Sequence, residues 1–194
     1  MSDVLTGLLA AALDARAELL PRLRAEQTDA YRLFHGSVEG APGLTVDRYG
    51  EILLAQSFHR GLEPDELDAL ENFYAAALPG LITIYNDRGQ ANSRIRNPLT
   101  PEKKIAAHLP RQISELGVNY RFQARHEGQD PWLFLDLRAG RRRVMAEAAG
   151  KSLLNLFAYT CGVGIAAAKA GARHVVHVDF AESGLRVAKE SIAL

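Results

Sequence analysis

The chain has a single cysteine, Cys161, among 194 residues. That excludes an internal disulfide and any metal site built from several thiolates, and it suits a reducing, cytoplasmic setting. Long apolar runs are lacking too, and nothing approaches the roughly 20 residues that a membrane span requires. Near the start, Asp3 and Asp14 lie among leucines and alanines, without the basic segment of a secretion signal. No sign of charge dominates. The 23 Lys and Arg balance 23 Asp and Glu, so any nucleic-acid surface must be a local patch. The six histidines show no close spacing to one another or to Cys161, and no metal is expected. What remains, 47% hydrophobic and 24% charged, is enough for a packed core in one large domain or two small ones.

Apolar residues at helical spacing, from Leu5 through Leu13 and again at Leu19, Leu20 and Leu23, predict an amphipathic N-terminal helix over 1–30, disturbed at Pro21. Tyr31 to His35 reads as a short strand, and Gly36 to Gly43 as a loop. Segments Thr45–Tyr49 and Glu51–Phe58 flank Gly50 as a hairpin. Pro64 opens a helix that Pro79-Gly80 stops, and Leu81 to Tyr85 follows as a strand. Val118 to Ala124 alternates cleanly and adds another. A small α+β module over 31–125 is the result. Within it, Asn86 to Pro110 is polar and irregular. Its Arg94, Arg96, Lys103 and Lys104 are candidates for phosphate contacts along an RNA backbone, against the plainer reading of a solvated loop.

Pro131 to Asp136 reads as a strand leading into a basic helix, Arg138 to Ala149. Next comes Ser152-Leu-Leu-Asn-Leu-Phe-Ala-Tyr-Thr-Cys-Gly-Val-Gly-Ile-Ala-Ala167, then His174-Val-Val-His-Val-Asp179. The order is buried strand, glycine turn, small-residue helix and a second strand ending on a carboxylate. It builds a nucleoside-cofactor pocket, with Asp179 where a ribose acceptor belongs. Gly162-x-Gly164-x-x-Ala167 formally fits the dinucleotide fingerprint, which keeps a nicotinamide oxidoreductase open as an alternative. The loop Ala158 to Cys161 before the first glycine is long for a pyrophosphate turn, however, and suits a ligand without phosphates. The expected fold is therefore α/β, a Rossmann-like domain over 126–194 behind the α+β module. A doubly wound sheet needs more strands than these, so the chain is expected to stop partway through that domain. Leu153, Leu154 and Leu156 would then be partly uncovered, inviting self-association.

Asn155-Leu-Phe-Ala-Tyr-Thr-Cys-Gly-Val-Gly164 resembles motif I of class I S-adenosylmethionine-dependent ribosomal RNA methyltransferases. The branch most similar holds the large-subunit cytosine-5 enzymes and their guanine-N7 relatives. Phe134-Leu-Asp-Leu-Arg138 with Arg141-Arg-Arg143, and Gly40-Ala-Pro-Gly-Leu-Thr-Val-Asp-Arg-Tyr49, are similar to further signatures of that branch. The resemblance runs from about Tyr31 to Leu194. Cys161 departs from it, standing where the branch usually has glycine, and the N-terminal helix replaces a small RNA-binding domain found in some members. The resemblance implies S-adenosyl-L-methionine as cofactor and ribosomal RNA as partner, with cytosine carbon-5 the leading target. Asn155, Phe157, Tyr159, Thr160, Gly162 and Gly164 would surround the methionine and ribose, Asp179 would take the ribose hydroxyls, and Phe180 would pack on adenine. Phe134, Asp136 and Arg138 would line the near side, where a guanidinium meets the carboxylate tail. For Phe134 and Phe157 core packing competes with that role, and for the arginines a solvated helix face does.

Carbon-5 chemistry needs a cysteine nucleophile and a positioned acid or base. No Asp-Pro-Pro segment, which the family uses here, occurs in the chain, and Cys161 sits in the cofactor turn. No catalytic residue is assigned from the sequence, and a noncatalytic RNA-binding piece remains an alternative.

Overall fold

The computed structural model describes residues 2–89, 95–126 and 130–194. It forms two compact units. The first comprises residues 1–25, 29–109 and 124–129, the second 26–28, 110–123 and 130–194.

In the first unit, α1 (Ser2–Asp14) and α2 (Leu19–Ala25) precede a four-stranded sheet, β1 (Ala30–His35), β2 (Leu44–Tyr49), β3 (Ile52–Ser57) and β4 (Ile82–Asp87), in that spatial order. A short helix α3 (Gly36–Glu39) follows β1, where a plain loop is expected from sequence. The β2–β3 hairpin closes through Gly50 at φ +62°, a left-handed angle that suits glycine at the tip of a two-residue turn. Helix α4 (Pro64–Ala77) carries the crossover from β3 to the parallel β4. Pro64 occupies the first turn and the Glu66 carboxylate accepts from the Glu63 amide at 3.0 Å, so the helix start is specified locally. Leu70 and Tyr74 of α4 join Leu5 and Leu9 of α1 and Leu33, Val46 and Leu53 of the sheet in one core. Such side chains contribute about 1.5–3 kcal/mol each when fully buried.

Two expectations for this unit are corrected. The N-terminal helix breaks at residues 15–18, before Pro21, which sits in the first turn of α2 where its missing N–H costs nothing. The irregular stretch 86–110 contains α5 (Pro101–His108), started by a Thr100 cap and Pro101.

The second unit opens with a hairpin, β5 (Arg111–Glu115) and β6 (Val118–Phe122). Its turn, Leu116-Gly117, has positive φ at both residues, the type I′ pattern that matches strand twist. The sequence reading placed Val118 to Ala124 with the first module and missed β5. By contacts the hairpin belongs here, with α7 and α8 packed on β6. Residues 130–136 form no strand, only a single 3-10 turn at Leu135–Leu137. Their carbonyls are taken by side chains instead: Tyr159 Oη donates to Asp130 O, Thr160 Oγ1 to Trp132 O, and Arg141 Nη2 to Phe134 O. The elements α6 (Arg138–Glu147), β7 (Ser152–Leu156), α7 (Gly162–Lys169), β8 (His174–Val178) and α8 (Glu182–Ile192) follow in the order read from sequence. Strands β7 and β8 pair in parallel, Leu154 opposite Val176 and Leu156 opposite Val178. These four face one way and are 42–61% exposed, while α7 packs on the half-buried face carrying Leu153, Asn155, Val175 and His177. Among the described residues, no helix is long and apolar enough to cross a membrane.

Candidate functional site

Among the described residues, three of the five non-glycine residues with positive φ lie in the turn between β7 and α7. Phe157, Tyr159 and Cys161 all lie in the left-handed region, at φ 51°, 49° and 61°. Each such non-glycine residue costs on the order of 1–2 kcal/mol, a strain that functional sites often retain. The sequence points to the glycines as the special turn residues, but Gly162 and Gly164 have ordinary angles in the first turn of α7. Their smallness serves packing. A Cβ on Gly164 would lie 2.1 Å from His177 Cε1, and one on Gly162 would lie 3.2 Å from the Leu133 side chain.

Asp179 pins the turn from the end of β8. One carboxylate oxygen accepts from the Tyr159 amide at 2.7 Å and the other from the Ala181 amide at 2.8 Å. These backbone donors, Ala181 first, hold its carboxyl below the usual carboxylate range. Asp179 remains anionic and retains lone pairs for further donors.

Beside the turn lies a cavity of about 240 Å³, lined by Trp132, Leu133, Phe134, Leu137, Arg141, Asn155, Leu156, Phe157, Ala158, Tyr159, Thr160, Gly162 and Val163. It brings together six residues expected from sequence: Phe134, Asn155, Phe157, Tyr159, Thr160 and Gly162. The rings of Phe134 and Tyr159 meet at 5.5 Å between centroids. Several of these side chains have duties inside the protein. The hydroxyls of Tyr159 and Thr160 anchor residues 130–132, and the Asn155 amide lies 3.2 Å from His177 Nδ1. Burial pushes the Tyr159 phenol up to about 12 and lowers the His177 imidazole, which is therefore neutral near pH 7. By contrast the amides of Gly162 and Val163, at the positive end of α7, make no hydrogen bond among the described residues.

Five expected residues lie off this lining: Asp136, Arg138, Gly164, Asp179 and Phe180. Phe180 is 92% exposed. Arg138 is drawn away, its Nε donating to the Glu115 carboxylate at 2.8 Å. Sequence reasoning missed Trp132 and Arg141 as cavity residues. The signal for Arg141 is its place in the Arg-x-x-Arg run at the start of α6, which the expectation resolved in favour of Arg138.

Cys161 is buried, and that burial raises its thiol to about 11. It is a poor nucleophile at neutral pH. Among the described residues no group of His, Cys, Asp and Glu could hold a metal ion.

Of the basic residues, Arg94 lies outside the described ones. Arg96 and Lys104 are exposed, whereas Lys103 is half-buried and its ammonium is held by Glu71. A second cavity, of about 340 Å³, lies wholly in the first unit among Leu5, Leu8, Leu44, Ser57, His59 and Arg60. None of the expected site residues reaches it.

The chain is similar to known proteins along most of its length. The model of the S-adenosylmethionine-dependent methyltransferase family matches residues 31–194. A ribosomal RNA large subunit methyltransferase of Deinococcus radiodurans is 33% identical over 190 residues, covering 96% of this chain and 46% of the relative. The ribosomal RNA large subunit methyltransferase I of Shewanella denitrificans is 32% identical over 89% of this chain and 43% of its own length. The chain thus spans about half the length of the curated relatives it matches. The crystal structure of a proposed methyltransferase complexed with SAH aligns over 99% of this chain and 48% of that one, with a TM-score of 0.78 at 25% identity. Strand, strained turn, helix and acid-tipped second strand are thus set in a matching family model, and the chain belongs to the S-adenosylmethionine-dependent methyltransferase family.

Proposed function

We propose that this chain supplies the cofactor site of a methyltransferase that modifies a base of large-subunit ribosomal RNA, with cytosine carbon-5 as the target. The observation that carries the reading is the cavity joining Phe134, Asn155, Phe157, Tyr159, Thr160 and Gly162 beside the strained β7–α7 turn. Its unspent amides suit the amino-acid end of S-adenosylmethionine, its aromatic and aliphatic walls suit the apolar parts, and Asp179 stands at the tip of the neighbouring strand for ribose hydroxyls. The cofactor would supply an electrophilic methyl group, and the residues here bind and orient it.

The rRNA assignment draws on the relatives' substrates and on the exposed Arg96 and Lys104 of the first unit. Attack on cytosine carbon-5 requires a thiolate, and the one thiol present is buried with a raised pKa. The 194 residues therefore bind cofactor and RNA without transferring the methyl group themselves. Such a protein works in the cytoplasm, where ribosomal RNA is its partner.

Calorimetric titration with S-adenosylhomocysteine tests the cofactor reading, with saturable one-to-one binding expected. Binding of NADH instead would turn the reading toward a dinucleotide enzyme. Radiolabelled methyl transfer to large-subunit rRNA by these 194 residues alone would refute the claim that they lack the catalytic groups.

A further inference from the structure

The cavity of about 340 Å³ in the first unit plays no part in the cofactor reading, yet it has the scale of a ligand pocket. Part of its wall comes from the Gly40–Tyr49 motif, which the cofactor site leaves unused. Residues 40–44 line it together with Leu5 and Leu8 of α1 and Leu62. Two of the motif's glycines are required there. Gly43 has φ +87°, and a Cβ on it would fall 2.8 Å from the His59 imidazole. Gly40 has φ +92°, and a Cβ on it would fall 3.1 Å from Leu8 Cδ2. Both therefore adopt left-handed angles and make room for a side chain of the cavity wall.

The polar groups of the lining define what fits. Arg60 and Glu66 neutralise each other through two bonds, Nη1 to Oε2 at 2.6 Å and Nη2 to Oε1 at 2.7 Å. Glu66 also takes the Glu63 amide at the start of α4, so an anion finds no open helix end there. Ser57 is buried, its hydroxyl 2.7 Å from the Tyr85 phenol. His59 makes no hydrogen bond among the described residues, so both ring nitrogens are available. Apolar walls, a compensated ion pair and an unspent imidazole suit a flat, neutral group with hydrogen-bonding edges. The rim extends this beyond one group. Phe58, His59 and Arg60 follow one another after β3, and Phe58 is exposed with the Arg88 guanidinium 4.9 Å from its ring centroid. The exposed Arg60 guanidinium is held in plane by Glu66. Such planar surfaces are those on which successive unpaired bases stack. The exposed Arg96 reaches the same strand end, its amide donating to Asp87 O at 3.2 Å while Asp87 pairs with Ser57.

We propose that this cavity is a base pocket for single-stranded RNA, taking one unpaired nucleobase against the His59 ring while Phe58 and Arg60 stack its neighbours. Arg96 then meets the backbone beside it. The proposal rests on the reading of RNA as the partner and is independent of the cofactor cavity. It gives the first unit a means of holding bases as well as phosphates, and so of distinguishing an unpaired strand from a duplex, whose bases are not splayed out.

The test compares a short single-stranded oligoribonucleotide with its abasic counterpart, which carries the same phosphates. On the unaltered chain the abasic strand is expected to bind at least about tenfold more weakly, the effect of losing base stacking. His59→Ala removes the imidazole, and Ala41→Leu fills the cavity with an aliphatic side chain that offers no stacking surface. Each is expected to weaken the base-bearing strand about tenfold and to leave the abasic strand unchanged, so that the preference disappears. Equal affinity of the unaltered chain for the two strands overturns the proposal, as does a preference kept in either variant once folded. His59 is exposed, so its truncation spares the core; if Ala41→Leu does not fold, His59→Ala decides alone. In those outcomes RNA still binds, and the RNA reading stands without this pocket. Failure of the unaltered chain to bind either strand would overturn the RNA reading itself, and the pocket with it.

Discussion

Substituting Gly164 by alanine should couple the packing of α7 to the site through one histidine. The new Cβ would fall 2.1 Å from His177 Cε1 and 2.7 Å from Nδ1, well inside contact distance. The imidazole must move, and in moving it gives up its 3.2 Å contact with the Asn155 amide. Loss of that hydrogen bond costs about 1 kcal/mol. Displacing the ring from its rotamer costs a further 0.5–1.5 kcal/mol or so. Alanine recovers at most about 1 kcal/mol of helix propensity over glycine. Gly164→Ala should therefore destabilise the second unit by roughly 1–2 kcal/mol, a typical overpacking cost. In a His177→Ala background the obstruction is gone, and the same substitution should become neutral or stabilising by up to about 1 kcal/mol. Urea unfolding followed by the fluorescence of Trp132, the single tryptophan, measures all four corners of this cycle. An unchanged or raised midpoint for Gly164→Ala alone, or the same shift in both backgrounds, would refute the packing argument.

Glu115→Gln should destabilise the second unit by about 3–5 kcal/mol, because it removes the anion facing the buried Arg141 guanidinium; a loss below about 1 kcal/mol in urea unfolding would contradict the buried ion pair. Leu116→Asn should raise the melting temperature slightly, worth up to about 1 kcal/mol, since asparagine tolerates the left-handed angle of the type I′ turn better than leucine. Burial holds the folded pKa of His177 below its ordinary value of 6.5. The unfolded chain therefore binds the proton first, so its contribution to stability is full above pH 6.5 and is lost as pH falls through the folded pKa. Replacing His177 with glutamine should remove that part of the acid sensitivity in pH-dependent unfolding. Reversing the charge of Arg96 and Lys104 should lower RNA affinity and flatten its salt dependence by a slope of about 0.7 per lost single-strand phosphate contact, and filter binding at several salt concentrations reads this directly.

The β–α–β order at the cofactor turn was legible because short apolar runs, a glycine turn and a small-residue helix leave local signals. So was α4, whose Pro64 start and Pro79-Gly80 stop are chemical punctuation. The segment 131–136 misled because its apolar pattern fits a strand, while its carbonyls are claimed by Tyr159, Thr160 and Arg141 from distant parts of the chain. Strand β5 was invisible for a similar reason: Arg111-Gln-Ile-Ser-Glu115 has little β propensity, and its pairing with β6 and the burial of Glu115 by two arginines are tertiary effects. In the site, the residue types of motif and turn predicted which positions gather, but not their duties. Both arginines of the Arg-x-x-Arg run meet Glu115 and only helix facing decides that Arg141 lines the cavity, while the strain of the turn falls on Phe157, Tyr159 and Cys161 and not on the glycines.

The most direct measurement is the structure of the chain with S-adenosylhomocysteine bound. The account predicts ligand in the cavity between Trp132, Phe134 and the β7–α7 turn, with its amino-acid end at the amides of Gly162 and Val163 and its ribose at Asp179. Ligand seated instead among Leu5, Leu44 and His59 of the first unit would contradict it.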